Sequence, residues 1–440
     1  MPSAWVDFAG GSIYNDAKNG QGEIDMKLLS KEKDIYSLRE QYRICDEILK
    51  DRLENLMPQL LKECGVDMWM VIGREYNEDP VFKTLTPSLV KTASRLSCLV
   101  FSLDADGKYE AINLSRPDPR LSPYYTHAYT TKENQYDVIA RTVLERNPQK
   151  IAVNISSVTA QADGMSKFIW DNLYERLGDR LVPDGSMAIR WLETRTAREL
   201  ELYPEIYRIA QDILREAYSL DVITPGVTTT TDVEYYIMQR IDDMGLQAWF
   251  SPDVDVQRRG CAGKRMSDTV IEKGDIIHTD WGIDYMGLCT DSQRLGYLLR
   301  DGETEIPAGI LEGFRIGNRF QDIVRENFVQ GRTGNEIFFA AMEQARAEGI
   351  RPMLYTHPIG NYGHGAGPLI GLYSDQGFVP GAGELPLNDS TCYALELNVT
   401  HSVPEWDGQD VAFYMEETIA YAGGKTRFMD DFRDVMIRIG

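Results

Sequence analysis

Two stretches of this sequence each set a pair of acidic residues symmetrically about a turn, a pattern that few folds can satisfy. The first, DIIHTDWGIDYMGLCTDSQRLGYLL (275–299), consists of two β-type runs around a turn at Asp284 to Gly287. Residues equidistant from the centre of an antiparallel hairpin face one another. Asp280 and Asp291 are equidistant from the point between Tyr285 and Met286, so their carboxylates are expected to converge. Alternation places Asp280 on one face with His278 and Gly282, and Ile277, Trp281 and Ile283 on the other. The second hairpin joins CYALELNV (392–399) to DVAFYMEETIAY (410–421) through a loop containing the turn dipeptide Asp407-Gly408. With its centre at Trp406, Glu396 lies opposite Glu416. Glu417 alternates onto the apolar face with Val411, Phe413, Met415 and Ile419, so Glu416 is the expected partner.

Solvation or a salt bridge explains any one of these acids, but not four that face one another in pairs. Such a set requires a cation. Between the hairpins, THPIGNYGHGAG (356–367) holds two of the chain's five histidines, His357 and His364. Four carboxylates and one imidazole suit hard or borderline divalent ions: Mn²⁺ first, with Co²⁺, Fe²⁺ or Zn²⁺ as alternatives.

The rest of the chain sets the frame. A length of 440 residues implies two domains. Residues 1–30 show no periodic apolar pattern and read as an N-terminal arm. Ile35, Leu38, Tyr42, Ile48 and Leu49, then Leu56, Leu60 and Leu61, recur at helical spacing up to Cys64-Gly65. The β-type runs at 68–73, 98–104, 109–114 and 150–155 alternate with helical stretches, which predicts an α/β domain over residues 31–195. Thr196-Ala-Arg-Glu199 fits a capping box that opens the second domain, residues 196–440, with a helix to Leu220 bent or restarted at Pro204. Segments 225–246 and 330–350 share a threonine-bearing opening, an amphipathic helix and a closing glycine, the pattern of two similar half-domains or of two generic amphipathic helices.

A net charge of −22 repels phosphate backbones and anionic lipid, which excludes nucleic-acid and membrane-surface roles. With 43% hydrophobic residues, the acidity belongs to a folded surface and not to disorder. Six scattered cysteines without a CxxC pair, and a start (MPSAWVDFAGGSIYND) with no legible targeting segment, point to the cytoplasm.

From about Thr196 onward the chain resembles the pita-bread metallopeptidases: methionine aminopeptidase, aminopeptidase P (Xaa-Pro aminopeptidase), prolidase and creatinase. Asp280-Trp-Gly282, Tyr285, Gly287 and Asp291 with Arg294 match that family's D-x-G, Y-x-G, D-x-x-R pattern. His357-Pro-Ile-Gly360 with His364 matches H-x-I-G-x-x-x-H, and Glu416-Glu417-Thr418-Ile419 matches the E-[DH]-T-[IV] ending. The resemblance implies an α/β N-terminal domain followed by an α+β pita-bread catalytic domain with pseudo-two-fold symmetry. It also implies a pair of divalent metal ions held by Asp280, Asp291, His357, Glu396 and Glu416, with Asp291 and Glu416 bridging. Asp280 completes one ion's shell, and His357 and Glu396 the other's. A second register, Gly363-His364-Gly365-Ala-Gly367, would make His364 the ligand; the first places both histidines, with His364 facing substrate.

The implied chemistry is hydrolysis of an N-terminal peptide bond, with proline in the second position, by a hydroxide shared between the ions. Glu396 would shuttle the proton and His364 would bond the oxyanion. The pattern breaks at two substrate positions. Lys264 or Arg265 stands where the family carries a histidine, and Tyr414 where prolidase and aminopeptidase P carry an arginine. A hydrolase or lyase of a non-peptide small molecule and a non-enzymatic binding protein are the competing readings. The expected partners are a short peptide and a second copy of the chain, since two-fold dimers are the commonest assembly.

Overall fold

The computed structural model describes residues 29–129 and 132–440, so the expected N-terminal arm lies almost wholly outside the described residues. From Leu29 onward the chain is anchored: its amide donates to Glu216 Oε1 at 2.8 Å, and its side chain is buried. The helical run predicted to Gly65 forms Leu38–Asp51, a π-turn Arg52–Leu56 and Met57–Cys64, closed by Gly65 at φ 62°. That left-handed ending costs glycine nothing.

Six strands then form a mixed sheet in the order Thr126–His127, Tyr109–Asn113, Leu96–Leu103, Met68–Arg74, Ile151–Val153, Leu181–Pro183. Alternation along Met68–Arg74 explains why its sequence is apolar throughout. Met68, Met70 and Ile72 meet Ile139, Val143, Ile169 and Leu173 on one side. Trp69 and Val71 meet Leu60, Leu61 and Trp191 on the other. Helices cover both faces, so neither can be polar.

The predicted capping box is present: Thr196 Oγ1 accepts from the Glu199 amide, and Glu199 returns a bond to the Thr196 amide at 2.7 Å. Glu199 also sits between two buried guanidinium groups, Arg52 and Arg195, each at 2.8 Å. The helix Ala197–Ala217 continues through Pro204 without a restart. Pro204 has no N–H for the Leu200 carbonyl, and Arg427 Nη2 donates to that carbonyl instead, at 3.1 Å.

The two similar segments become helices Thr230–Asp243 and Gly334–Ala347, each of 14 residues with a threonine capping box. Each follows a longer helix, Ala197–Ala217 or Ala308–Glu326, and precedes one of the acid-bearing hairpins. Both hairpins join one nine-stranded sheet, whose main path runs Pro352–Leu354, Thr391–Val403, Gln409–Ala422, Ser292–Leu298, Ile276–Trp281, Asp253–Gln257. The second hairpin has the predicted register, Glu396 opposite Glu416. The first does not. Asp280 pairs with Gln293, and the turn closes on Met286 and Gly287, at φ 55° and 74°, between Tyr285 and Leu288. Two successive residues at positive φ fit the twist of a two-residue hairpin, and this centre lies one residue later than the one read from sequence. The slip moves the partner of Asp280 by two positions, so parity is preserved and both aspartates keep the same face.

Replacing Glu199 by Gln leaves Arg52 and Arg195 buried without their carboxylate. The expected loss is about 3–5 kcal/mol, the range for breaking a buried ion pair, read as a lowered urea midpoint.

Candidate metal centre

A single transverse row organises the site. Asp280 pairs with Gln293, Gln293 with Glu416, and Glu416 with Glu396, across four neighbouring strands. Residues paired across a sheet share a face, so all four side chains project together. Asp291 lies two residues before Gln293 on that same face, and Thr418 clips its backbone. The Thr418 hydroxyl accepts from the Asp291 amide at 3.1 Å and donates to its carbonyl at 2.9 Å. Gly282 must lack a side chain, because a Cβ there would meet Thr290 O at 2.1 Å and Trp249 Nε1 at 2.3 Å. His357 enters on the short strand His357–Ile359, paired to Ala394. Its Nε2 stands 3.5 Å from Asp291, 3.7 Å from Glu416 and 3.9 Å from Glu396.

Asp291, His357 and Glu416 offer ligand atoms within 4.8 Å of one another, and so do Asp280, Glu396 and Glu416. The two sets share Glu416. The structure thus groups Glu396 with Asp280, whereas the resemblance groups it with His357.

Burial, followed by repulsion from Asp280, pushes Glu396 up to about 8, and burial raises Asp280 to about 6. Asp291 and Glu416 are driven far above the usual carboxylate range by burial and by neighbouring acids. Burial and the adjacent His364 lower His357 to about 4, which keeps its imidazole neutral. Asp280 Oδ1, Asp291 Oδ1 and Glu416 Oε1 are buried without a hydrogen-bond partner. Unpaired buried carboxylate oxygens around a neutral imidazole are unstable as they stand, and they fit divalent cations.

The His364 ring lies 4.7 Å from that of His357 and 5.3 Å from Trp249, at the edge of the cluster. Its loop is tied from several directions. Gln161 Nε2 donates to the His364 carbonyl at 2.6 Å, Tyr362 Oη to the Pro80 carbonyl at 2.6 Å, and Asn361 Nδ2 to the Gly287 carbonyl at 2.8 Å.

Around the expected substrate position at Lys264 and Arg265, the arginines of 258–265 are each paired to a different acid. Arg258 grips Asp275 with two bonds of 2.7 Å, and Arg259 pairs with Asp407 at 2.7 Å. Arg265 pairs with Asp255 and stacks 4.3 Å over the ring of Tyr414, whereas Lys264 is exposed and has no ion pair among the described residues. Sequence reasoning missed Thr418, Gln293 and the buried pair of His278 and Asp255. His278 carried a signal, as the one histidine on the acid-bearing face of its strand. Glu417 points away from the cluster, as alternation requires, to Arg294 and Tyr207, each at 2.5 Å.

A mixed sheet presenting facing acids and a histidine beside a glycine-rich loop, preceded by an α/β domain, is the pita-bread arrangement. Residues 201–433 match the model of metallopeptidase family M24, and the chain belongs to that family. Similar solved structures include the X-Pro aminopeptidase of Thermotoga maritima, with a TM-score of 0.61 and 17% identity over 86% of this chain and 99% of that one. The Xaa-Pro dipeptidase of Bacillus anthracis has a TM-score of 0.55 and 17% identity, covering 90% and 99%. Dipeptidase PepE of Mycobacterium ulcerans has a TM-score of 0.60 and 16% identity, covering 89% and 98%. No curated protein matches the chain significantly in sequence. All six cysteines are free, and no helix among the described residues is long and apolar enough to cross a membrane.

The raised carboxylates fix a pH dependence. Between its ordinary value of 4.5 and about 8, Glu396 binds more protons in the folded than in the unfolded chain, so its contribution to stability falls as pH rises. Metal-free protein is expected to lose melting temperature across that window more steeply than its Glu396→Gln variant. Added divalent metal should restore the loss at pH 8 but not at pH 5. Parallel melting curves for the two proteins across the window would contradict this account.

Proposed function

We propose that this chain is a dinuclear metal-dependent exopeptidase that removes the N-terminal residue of short peptides with proline in the second position. The observation that carries the reading is the pair of ligand sets sharing Glu416, with their orphaned buried oxygens. Asp280, Asp291, His357, Glu396 and Glu416 would hold the two ions. An oxygen-rich set with one imidazole favours manganese, with cobalt, iron or zinc as alternatives. The bound ions supply Lewis acidity at the scissile carbonyl and acidify the attacking water.

The chain's own residues do the rest. The Glu396 side chain is 19% exposed, against 5% for Asp291 and 1% for Glu416, so water reaches it, as it reaches the part-exposed Asp280. It takes the proton of the attacking water and returns it to the leaving nitrogen. His364, beside the cluster and held through its own carbonyl, donates to the developing oxyanion. Trp249 and Phe250 form an aromatic wall beside His364 suited to a pyrrolidine ring. Tyr414, two residues before Glu416 on the same strand, is covered by Arg265. With Arg265 paired to Asp255, Lys264 is the cation left to receive a substrate carboxylate.

Glu416→Ala, which removes the side chain common to both sets, should abolish hydrolysis and remove both ions by elemental analysis, and Asp291→Ala should abolish hydrolysis with loss of the ion it holds with His357. His357→Ala should lose one ion. His364→Ala should keep both and slow turnover about 100-fold, the scale of one lost oxyanion donor. Loss of metal in His364→Ala with retention in His357→Ala would reverse their roles. Substrate class is tested with Xaa-Pro dipeptides and tripeptides as free acids and amides: faster cleavage of the acids, erased by Lys264→Ala, is expected. No cleavage of any Xaa-Pro peptide by the metal-loaded protein would overturn the peptidase reading in favour of a non-peptide substrate.

A further inference from the structure

Gln293 holds the one uncharged position in the acidic row, between Asp280 and Glu416. Its side-chain amide donates to Glu396 Oε1 at 2.6 Å and to Glu416 Oε2 at 3.1 Å. Among the described residues no other side-chain N–H donates to either carboxylate. Only the NH₂ end of an amide can donate to carboxylates, so the carbonyl end of Gln293 faces away from them. It meets His278 Nε2 at 2.9 Å, and that ring nitrogen therefore carries the hydrogen. The other ring nitrogen lies 2.8 Å from Asp255 Oδ2 and 3.0 Å from Arg265 Nη2. Gln293, His278 and Asp255 are 4%, 1% and 3% exposed, so water does not compete for these bonds.

This chain of contacts has a mechanical consequence. Glu396 and Glu416 face one another on adjacent strands, about 5 Å apart at the backbone, and as carboxylates they repel. A single amide that donates to both holds them at one separation and aims their remaining oxygens into the cluster. The amide can do this only while its carbonyl end is held, because a rotated amide would present its oxygen to the carboxylates. His278 prevents that rotation, and the Asp255–Arg265 ion pair against its other ring nitrogen holds His278 in place.

We propose that Gln293 is a positioning residue that presets Glu396 and Glu416 for metal, with His278 and Asp255 as the brace that orients it. The proposal rests on the dinuclear reading of the site. It concerns chiefly the ion of the Asp280, Glu396 and Glu416 set, because Gln293 bonds two of those three side chains and none of the others. It also accounts for Arg265 as part of the brace.

The test is a titration of the metal-free full chain with Co²⁺, followed by visible absorption, for the wild type, Gln293→Leu and His278→Phe. Circular dichroism melts establish that each variant folds. The wild type is expected to take up two equivalents. Gln293→Leu should weaken one of them tenfold or more, in line with the effect of removing partners of metal ligands, and alter its absorption bands while weakening the other, which shares Glu416, to a smaller extent. His278→Phe, which does not touch either carboxylate, should shift the same ion in the same direction. If Gln293→Leu fails to fold, His278→Phe decides. Wild-type affinities and spectra in the folded variants would overturn the proposal, as would equal weakening of both ions. A wild-type chain that takes up no Co²⁺ would overturn the metal reading itself, and that failure is visible before any variant is compared.

Discussion

The centre of this protein depends on one strand pairing, that of Ser292–Leu298 with Gln409–Ala422, which sets Gln293 opposite Glu416. Each hairpin alone offers one or two acids on a strand face. Joined edge to edge, they form a row in which carboxylates from both halves of the domain project to the same side. Like charges on adjacent strands destabilise a sheet, and burial raises the cost. The row therefore persists only because something else answers the charge.

Three features answer it without an ion. Gln293 sits among the acids as a neutral donor. Burial and mutual repulsion shift Glu396 and Asp280 toward their protonated forms. The opposite face of the same strands is apolar or internally paired, with Trp281 and Ile277 in the core and Glu417 held by Arg294. What remains is a set of orphaned oxygens around His357. This is the feature that ties the fold to its chemistry and makes membership of the metallopeptidase family intelligible in physical terms.

The N-terminal half is joined to this centre by more than a linker. Glu199 caps the first helix of the catalytic half while lying between Arg52 and Arg195, so one carboxylate starts a helix and binds the two halves together. Arg195 reaches Asn361 at 3.2 Å, and Gln161 and Pro80 hold the neighbouring residues of the loop that carries His364. A histidine beside the cluster is thereby positioned from several elements far apart in sequence.

Period-two alternation was enough to assign Glu416 and not Glu417 to the acid face, and the Asp407-Gly408 turn was enough to place Glu396 opposite it, because parity and a tight turn are local properties of a strand. The same reasoning placed the centre of the first hairpin one residue early, which shifted the partner of Asp280 by two. Its turn uses Met286 at positive φ, a residue that gives no sign of accepting that conformation. Parity survived the slip, so the shared face of the aspartates was legible although their partners were not. Pro204 read as a bend or restart, because the arginine that satisfies the Leu200 carbonyl orphaned by it lies 227 residues from Leu200 in the chain. Thus the sequence by itself determined which residues face the site, through the alternation of strands and the chemistry of facing acids. Only the tertiary structure decided how the two hairpins register and which neutral groups stand among the charges. Pairing between distant strands is set by the packing of the whole sheet, and no local pattern encodes it.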